Sequence, residues 1–376
     1  MQRIYFDNAA TTALREEVLT AMLPFLRQQY GNPSSIHAEG RAARAAVEKS
    51  RRNIARAIGA KPSELFFTSG GSEANNTAIK GAVAALGVKT IISTEIEHAC
   101  VRNSVGQMQD AGVKSIDLAI DQFGRADLGQ LRTLLAKAEG KVLVSLMHSN
   151  NELGTLNDIA AIAALCQEFG AYFHTDTVQT LGYYPIDVKQ MAPIHFMSGS
   201  AHKLHGPKGV GFLYIRQGIH IPALIVGGGQ ERQLRSGTEN VAGIVGFAKA
   251  VDLALAEMSE HRAHISALKT YLIDQLQTHF GERLSFNGDW QGESHYKVLS
   301  VNFQSELPTD MLLFKLDLAG ISASGGSACS SGALKGSRVL SALGVPDELR
   351  SLRLSFSYEN TKEEIDRCIA ALLKIV

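Results

Sequence analysis

An excess of positive charge is missing from this chain: 37 lysines and arginines are balanced by 37 aspartates and glutamates. Nothing in that balance holds a phosphate polymer, so nucleic acid is excluded as an expected partner. Long apolar runs are missing as well. The start, MQRIYFDNAATT, has no apolar h-region, and no later run approaches the ~18 residues of a membrane span. The expectation is a cytoplasmic protein with no membrane partner. Cysteine is scarce, with Cys100, Cys166, Cys329 and Cys368 scattered and no CxxC pair. That excludes a disulfide framework and a zinc knuckle and suits a reducing compartment. There is no internal repeat, no low-complexity segment, no GxxxxGK[ST], and no GxGxxG after a strand, so nucleotide-loop and dinucleotide readings lack support.

What is present is a 376-residue chain that is 45% hydrophobic and 20% charged, a balance that folds and is long enough for one large domain and a smaller one. Up to about residue 256, short apolar runs (65–67, 90–93, 142–147, 171–174 and 210–215) alternate with helical patterns such as 41–58 and 241–258. This alternation predicts an α/β fold with a mostly parallel sheet covered by helices. One long helical stretch from Val241 to about His279 then leads into a different texture. Strand-like KVLSVNF (297–303), a helix over 308–319, strand-like LRLSF (352–356) and a last helix capped by Thr361 and Glu364 predict a smaller α+β domain. The expected boundaries are 15–256 for the large domain, and 1–14 with 257–376 for the small one.

The chemistry concentrates at a few turns. In SGSAHKLHGPKG, Lys203 follows a strand-like run, and Ser200, His202, Gly199, Gly206 and Gly209 around it are compact donors or permit close backbone approach to a ligand. Asp176 and Gln179 end the preceding strand-like stretch, where ligands of α/β sheets sit. A lysine for an imine and a carboxylate for a pyridinium nitrogen are what pyridoxal phosphate requires. Asp176 alone reads more readily as a helix N-cap and Lys203 alone as a surface lysine; it is their pairing one strand apart that reverses the order. The turn TSGGSEANN offers the amides of Gly71 and Ser72 at a helix start near Ser72, which suit one phosphate, although Gly-Gly-Ser between a strand and a helix is more often only a turn. His202 and His205 have a spacing that suggests metal, but no acid joins them, so no metal is expected. Cys100, Cys166 and Cys368 sit in or beside helical patterns and read as small core residues. Cys329 differs: its SGGSACSSG surroundings are those of an exposed, reactive thiol, which needs a base or cation nearby, and His98 is a candidate.

Nine motifs in order, FDNAATT, GNPSSIH, FTSGGSEANN, TEIEHACV, HSNNELG, HTDTVQ, SAHKLHGPKG, RSGTEN and SGGSACSSG, resemble those of the cysteine desulfurases. These are pyridoxal phosphate enzymes of the class V aminotransferase type with fold type I, and the likeness runs essentially end to end. The resemblance implies that Lys203 binds the cofactor as an imine, that Asp176 pairs with its ring nitrogen and that His98 stacks on the ring as acid or base. Asn151 and Gln179 would contact the phenolic oxygen. Gly71, Ser72, Ser200 and His202 would hold the phosphate, with Thr238 reaching the other subunit's phosphate in an obligatory homodimer. Arg353, with Asn151, would bind the substrate carboxylate. L-cysteine would give L-alanine and a persulfide on Cys329. The loop wording is similar to that of the long-loop group I branch, whose members pass sulfur to an iron-sulfur scaffold protein; the sequence is silent on whether Cys329 also ligates a cluster transiently. The chain departs from the family at Ser357 and Tyr358, where a glycine and a basic residue are usual, and at Thr177, where alanine is common. An aminotransferase or selenocysteine lyase on the same scaffold, which needs no thiol, is the rival enzyme reading. A catalytically silent binding protein is the rival from another class.

Overall fold

The structure is a computed structural model and describes residues 3–325 and 337–376. Twelve strands occur among the described residues: β1 (Ile4–Tyr5), β2 (Leu65–Thr68), β3 (Val88–Ser93), β4 (Lys114–Asp117), β5 (Lys141–Ser145), β6 (Tyr172–Asp176), β7 (Phe196–Ser200), β8 (Gly211–Ile215), β9 (Leu284–Asn287), β10 (Val298–Gln304), β11 (Ile321–Ser322) and β12 (Leu349–Ser355). Seven of them form one sheet in the order β2-β8-β7-β6-β5-β3-β4. Every pair from β7 to β4 is parallel, while β8 runs antiparallel to both its neighbours. The central strands are buried along nearly their whole length, as a sheet covered on both faces demands, and this is why they read as continuous apolar runs. β4, at the edge, is half exposed and only one of its four residues is apolar, so its sequence gave no strand signal.

A second sheet, β12-β10-β9, is antiparallel throughout, with Ser300 opposite Arg353 and Asn287. β1 pairs in parallel with β11, and Asp7 bridges to Ser355 at the end of β12. The N-terminal segment is thereby stitched to the C-terminal strands.

The helix Ala38–Ala57 is capped by His37, which accepts from the Gly40 amide, and Lys362–Ile375 opens with the expected capping box of Thr361 and Glu364. The single stretch expected over 241–279 is instead two helices, Val241–Ala256 and Met258–Phe280, broken at Glu257. The first buries glycine, alanine and large apolar residues on much of its surface, whereas the second buries a narrow stripe through Ile265, Leu268, Leu272 and Leu276. The break lets each helix aim a different face at the core.

Candidate active site

The carboxyl ends of β3, β5, β6 and β7 deliver side chains to one cleft of about 870 Å³. The chain adds β4 on one side of β3 and then β5 on the other, and the crevice at such a reversal of strand order is where α/β sheets bind ligands. Gly71, Ser72, His98, Asn151, Asp176, Gln179, Ser200, His202, Lys203 and Arg353 all line it. Thr238 does not; it is exposed on the segment before Val241–Ala256. Cys329 lies outside the described residues.

The expected strand–turn–helix over 65–86 is present, with the helix Gly71–Leu86 starting one residue earlier than anticipated. Its N-cap, Gly70, contributes no side-chain acceptor and holds φ +151°, a conformation that suits glycine. The first amides of a 16-residue helix therefore face the cleft without a side-chain cap. Space around them is tight: a Cβ on Gly71 would meet Val178 Cγ2 at 2.6 Å, and one on Gly211 would meet the Gly70 Cα at 2.7 Å. The glycines near Lys203 have a different reason from the one expected. A Cβ on Gly199 would strike the Phe212 ring at 2.6 Å and one on Gly206 would strike Ala201 at 2.8 Å, while Gly209 meets nothing but holds φ +76°. Gly199 and Gly206 thus permit protein to approach protein, whereas Gly209 supplies a left-handed turn.

Asp176 is not a helix N-cap, because a turn follows β6. Its Oδ1 accepts from the Val178 amide at 2.9 Å and its Oδ2 from Asn75 Nδ2 at 2.7 Å. Lys203 Nζ donates to the carbonyls of Ala9 and Ala10 at 2.6 and 2.7 Å, and Gln179 Nε2 donates to the same Ala9 carbonyl at 3.0 Å. Gln179 Oε1 is buried without a partner among the described residues. Arg353, 2% exposed, donates from Nη2 to Asp7 Oδ1 at 2.7 Å and from Nη1 to the Asn151 carbonyl at 3.0 Å, and its Nε is likewise buried and unpartnered. Of the two adjacent asparagines, Asn150 builds the turn by accepting from the amides of Glu152 and Leu153, which leaves Asn151 to the cleft.

Burial depresses the His98 imidazole below its ordinary range; Asp176 pulls it up, and Lys203 and Arg338 push it down. His202 is lowered to about 4 by burial and by the positive charge of Lys203, Lys208 and Lys297, so it stands neutral at physiological pH. Burial raises the neighbouring Glu97 carboxyl to about 8, and one of its oxygens has no partner. Lys297, fully buried behind Lys203, is held well below the usual lysine range by burial first and by Lys203 and Arg353 after it. A cleft with these groups binds an anion at a helix start, offers an amine, and places a carboxylate and a neutral imidazole on the same ligand.

Comparison with known proteins fits this geometry. The model of the family described as Aminotransferase class-V matches residues 4–368. The chain belongs to that family. A cysteine desulfurase, IscS, from Dictyoglomus turgidum is 43% identical over 380 residues, covering 100% of this chain and 95% of the relative. One from Methanosarcina thermophila is 41% identical, covering 99% and 92%. Among solved structures, a NifS-like protein superposes with a TM-score of 0.91 at 36% identity, covering 100% of this chain and 99% of that one. A second, titled SspA in complex with cysteine, gives a TM-score of 0.80 at 32% identity over 95% of this chain and 100% of that one. Within class V this chain is a cysteine desulfurase of the IscS and NifS group, and the group's cofactor is pyridoxal phosphate. The residues present fit it: uncapped helix amides with Ser200 and His202 suit a phosphate, Asp176 suits a ring nitrogen, and the orphaned Gln179 Oε1 marks a buried polar atom awaiting a partner.

Two residues of the site escaped the sequence reading. Asn75, fully buried in the helix Gly71–Leu86, bonds Asp176 through Nδ2 and accepts from Ser198 Oγ and His174 Nε2 through Oδ1. Its polarity inside the apolar face of the helix was the available signal. Cys100 was expected in the core, as Cys166 and Cys368 are, with both of those thiols pushed up to about 12 by burial. Cys100, half-buried, packs against an apolar core cluster and also lines the cleft.

Proposed function

We propose that this chain acts as a homodimeric, cytoplasmic cysteine desulfurase that converts L-cysteine to L-alanine and passes the sulfur, through Cys329, to an iron-sulfur scaffold protein. The convergence of Lys203, Asp176, His98 and Arg353 on one cleft carries this reading. In it, Lys203 would hold pyridoxal phosphate through its amine, and the Asp176 carboxylate would pair with the ring nitrogen. The uncapped amides of Gly71 and Ser72, with Ser200 and His202, take the phosphate; Asn151 and Gln179 contact the phenolic oxygen. Bound there, pyridoxal phosphate would supply an electron sink for breaking the substrate's carbon–sulfur bond.

The rest is the work of side chains. Arg353 receives the substrate carboxylate in a guanidinium fork already oriented by Asp7. Lys203 and neutral His98 move protons between the substrate amine, its α-carbon and its sulfur. The Cys329 thiolate attacks the substrate sulfur: a sulfur–sulfur bond forms, the carbon–sulfur bond breaks, and its electron pair goes to carbon, which takes a proton and leaves as alanine. Residues 15–256 serve as the cofactor-binding domain, and 1–14 with 257–376 as the smaller domain that carries Cys329.

The dimer is supported by exposed apolar side chains: Tyr30 and Val226 are each 81% exposed and Ile36 is 88%, an arrangement that favours association. In that dimer Thr238 reaches the phosphate of the other subunit. No helix among the described residues is long and apolar enough to cross a membrane. Incubation of the holoenzyme with L-cysteine and dithiothreitol is expected to give alanine and sulfide in equal amounts. Pyruvate in place of alanine, or a keto acid formed by transamination, contradicts the reading.

A further inference from the structure

Cys100 occupies an unusual position for a thiol. It is the second residue of the helix Ala99–Asp110, whose N-cap is His98, and it lines the cleft. Two donors of Cys100 converge on one atom of His98: its backbone amide donates to Nδ1 at 3.2 Å, and its Sγ lies 3.0 Å from the same nitrogen. An amide N–H can approach only a nitrogen that bears a lone pair. Nδ1 is therefore the acceptor, and the proton of the neutral ring resides on Nε2.

The thiol is in turn oriented from behind. Asn75 Nδ2 donates to Cys100 Sγ at 3.3 Å while donating to Asp176 Oδ2 at 2.7 Å. The amide of Asn75 cannot be reversed, because Asp176 is an acceptor on one side and Ser198 Oγ and His174 Nε2 meet Oδ1 on the other. The Ser72 side chain also bonds this sulfur in the sense that favours its charged form, as a donor does; with sulfur accepting from Asn75 and Ser72, the lone pair of His98 Nδ1, 3.0 Å away, is the acceptor for its proton. A continuous chain of hydrogen bonds therefore links the carboxylate Asp176, through Asn75 and Cys100, to the imidazole.

We propose that Cys100 is a positioning residue: its thiol, oriented by Asn75, donates to His98 Nδ1 and, with its own backbone amide, fixes the neutral ring as the Nε2–H tautomer, so that the lone pair stays on Nδ1 and Nε2 turns an N–H donor toward the bound ligand. This rests on the function proposed above for the same cleft, and it assigns a role to a residue that reads in sequence as core filler. The thiol is not itself a nucleophile, since burial foremost and then Asp176 push it up to about 11. A hydrogen bond donated to the Nδ1 lone pair favours the neutral ring, so its loss favours the imidazolium. Other charges face His98 too, namely Asp176 at the end of β6, Lys203 after β7 and Arg338 on the helix Arg338–Ala342. Glu97 precedes it in the chain. All of these remain in a Cys100 variant, which isolates the thiol.

The direct test is nitrogen NMR on holoenzyme labelled with ¹⁵N-histidine, with the His98 signals identified by their loss in His98→Gln. Wild type is expected to show Nδ1 in the pyridine-type range and Nε2 in the pyrrole-type range. In Cys100→Ala, with visible cofactor absorbance retained, the acid limb of the kcat profile is expected to move to higher pH and kcat to fall by about 10-fold, a fraction of what an acid–base group contributes. Cys100→Ser, which keeps a donor, is expected to restore the wild-type profile. A pyrrole-type Nδ1 in wild type overturns the proposal without any variant needing to fold. So does a Cys100→Ala enzyme whose pH profile and His98 signals match wild type. Failure of the desulfurase reading would show separately, as wild-type enzyme that makes no alanine.

Discussion

Lys203→Ala is expected to abolish turnover of L-cysteine, a loss of at least about 10⁴-fold, since in the proposed function it removes the group that both holds the cofactor and moves protons. In the structure the Lys203 amine is fixed by the Ala9 and Ala10 carbonyls, 2.6 and 2.7 Å away. That contact ties the lysine to the N-terminal segment, which Asp7 and Arg353 tie in turn to β12. Alanine at 203 leaves Ala9 O paired with Gln179 Nε2, and Thr12 bonded to the His202 carbonyl, so the fold is expected to persist. Borohydride treatment followed by peptide mapping should fix the cofactor to Lys203 in wild type and nowhere in the variant. Cofactor fixed to another lysine, with activity preserved, would contradict the assignment.

Asp176→Ala is expected to lower kcat/KM by about 10³-fold, equivalent to about 4 kcal/mol of barrier. The carboxylate is held on two sides, by the Val178 amide and by Asn75 Nδ2, and such fixed charge stabilises a protonated ring nitrogen without reorganisation during the reaction. Removing it also strands the buried Asn75 donor, which retains only the Cys100 sulfur. The measurement is steady-state kinetics beside the cofactor spectrum. Cofactor retention through Lys203 with the stated loss of rate is expected; a rate within about tenfold of wild type would remove Asp176 from the mechanism.

The sheet was legible because its strands are buried on both faces and therefore spell out apolar runs, as at 142–147 and 210–215, and because the helices between them carry regular apolar stripes. β4 was not, since an edge strand of composition KSID satisfies no apolar pattern. The antiparallel direction of β8 was equally hidden, because periodicity carries no direction. Lys203, Asp176, His98 and the Gly71 turn announced themselves through chemistry-bearing residues at strand ends. Their supports did not: Asp7 meets Arg353 across 346 positions of chain, and Asn75 and Cys100 act through hydrogen bonds that only the folded geometry creates. Cys100 shows the limit most plainly, since one cysteine in a helical pattern reads the same whether its thiol faces a core or a cleft.

In the proposed function Cys329, which lies outside the described residues, bears the distinctive part, since it would separate sulfur transfer from other reactions of the same cofactor. Mass spectrometry of the holoenzyme after incubation with L-cysteine tests it directly. The account predicts one added sulfur atom, mapped to the peptide containing Cys329, removed by dithiothreitol and absent in Cys329→Ala. Sulfur added to Cys100 or to no residue, while alanine still forms at the wild-type rate in Cys329→Ala, would contradict it.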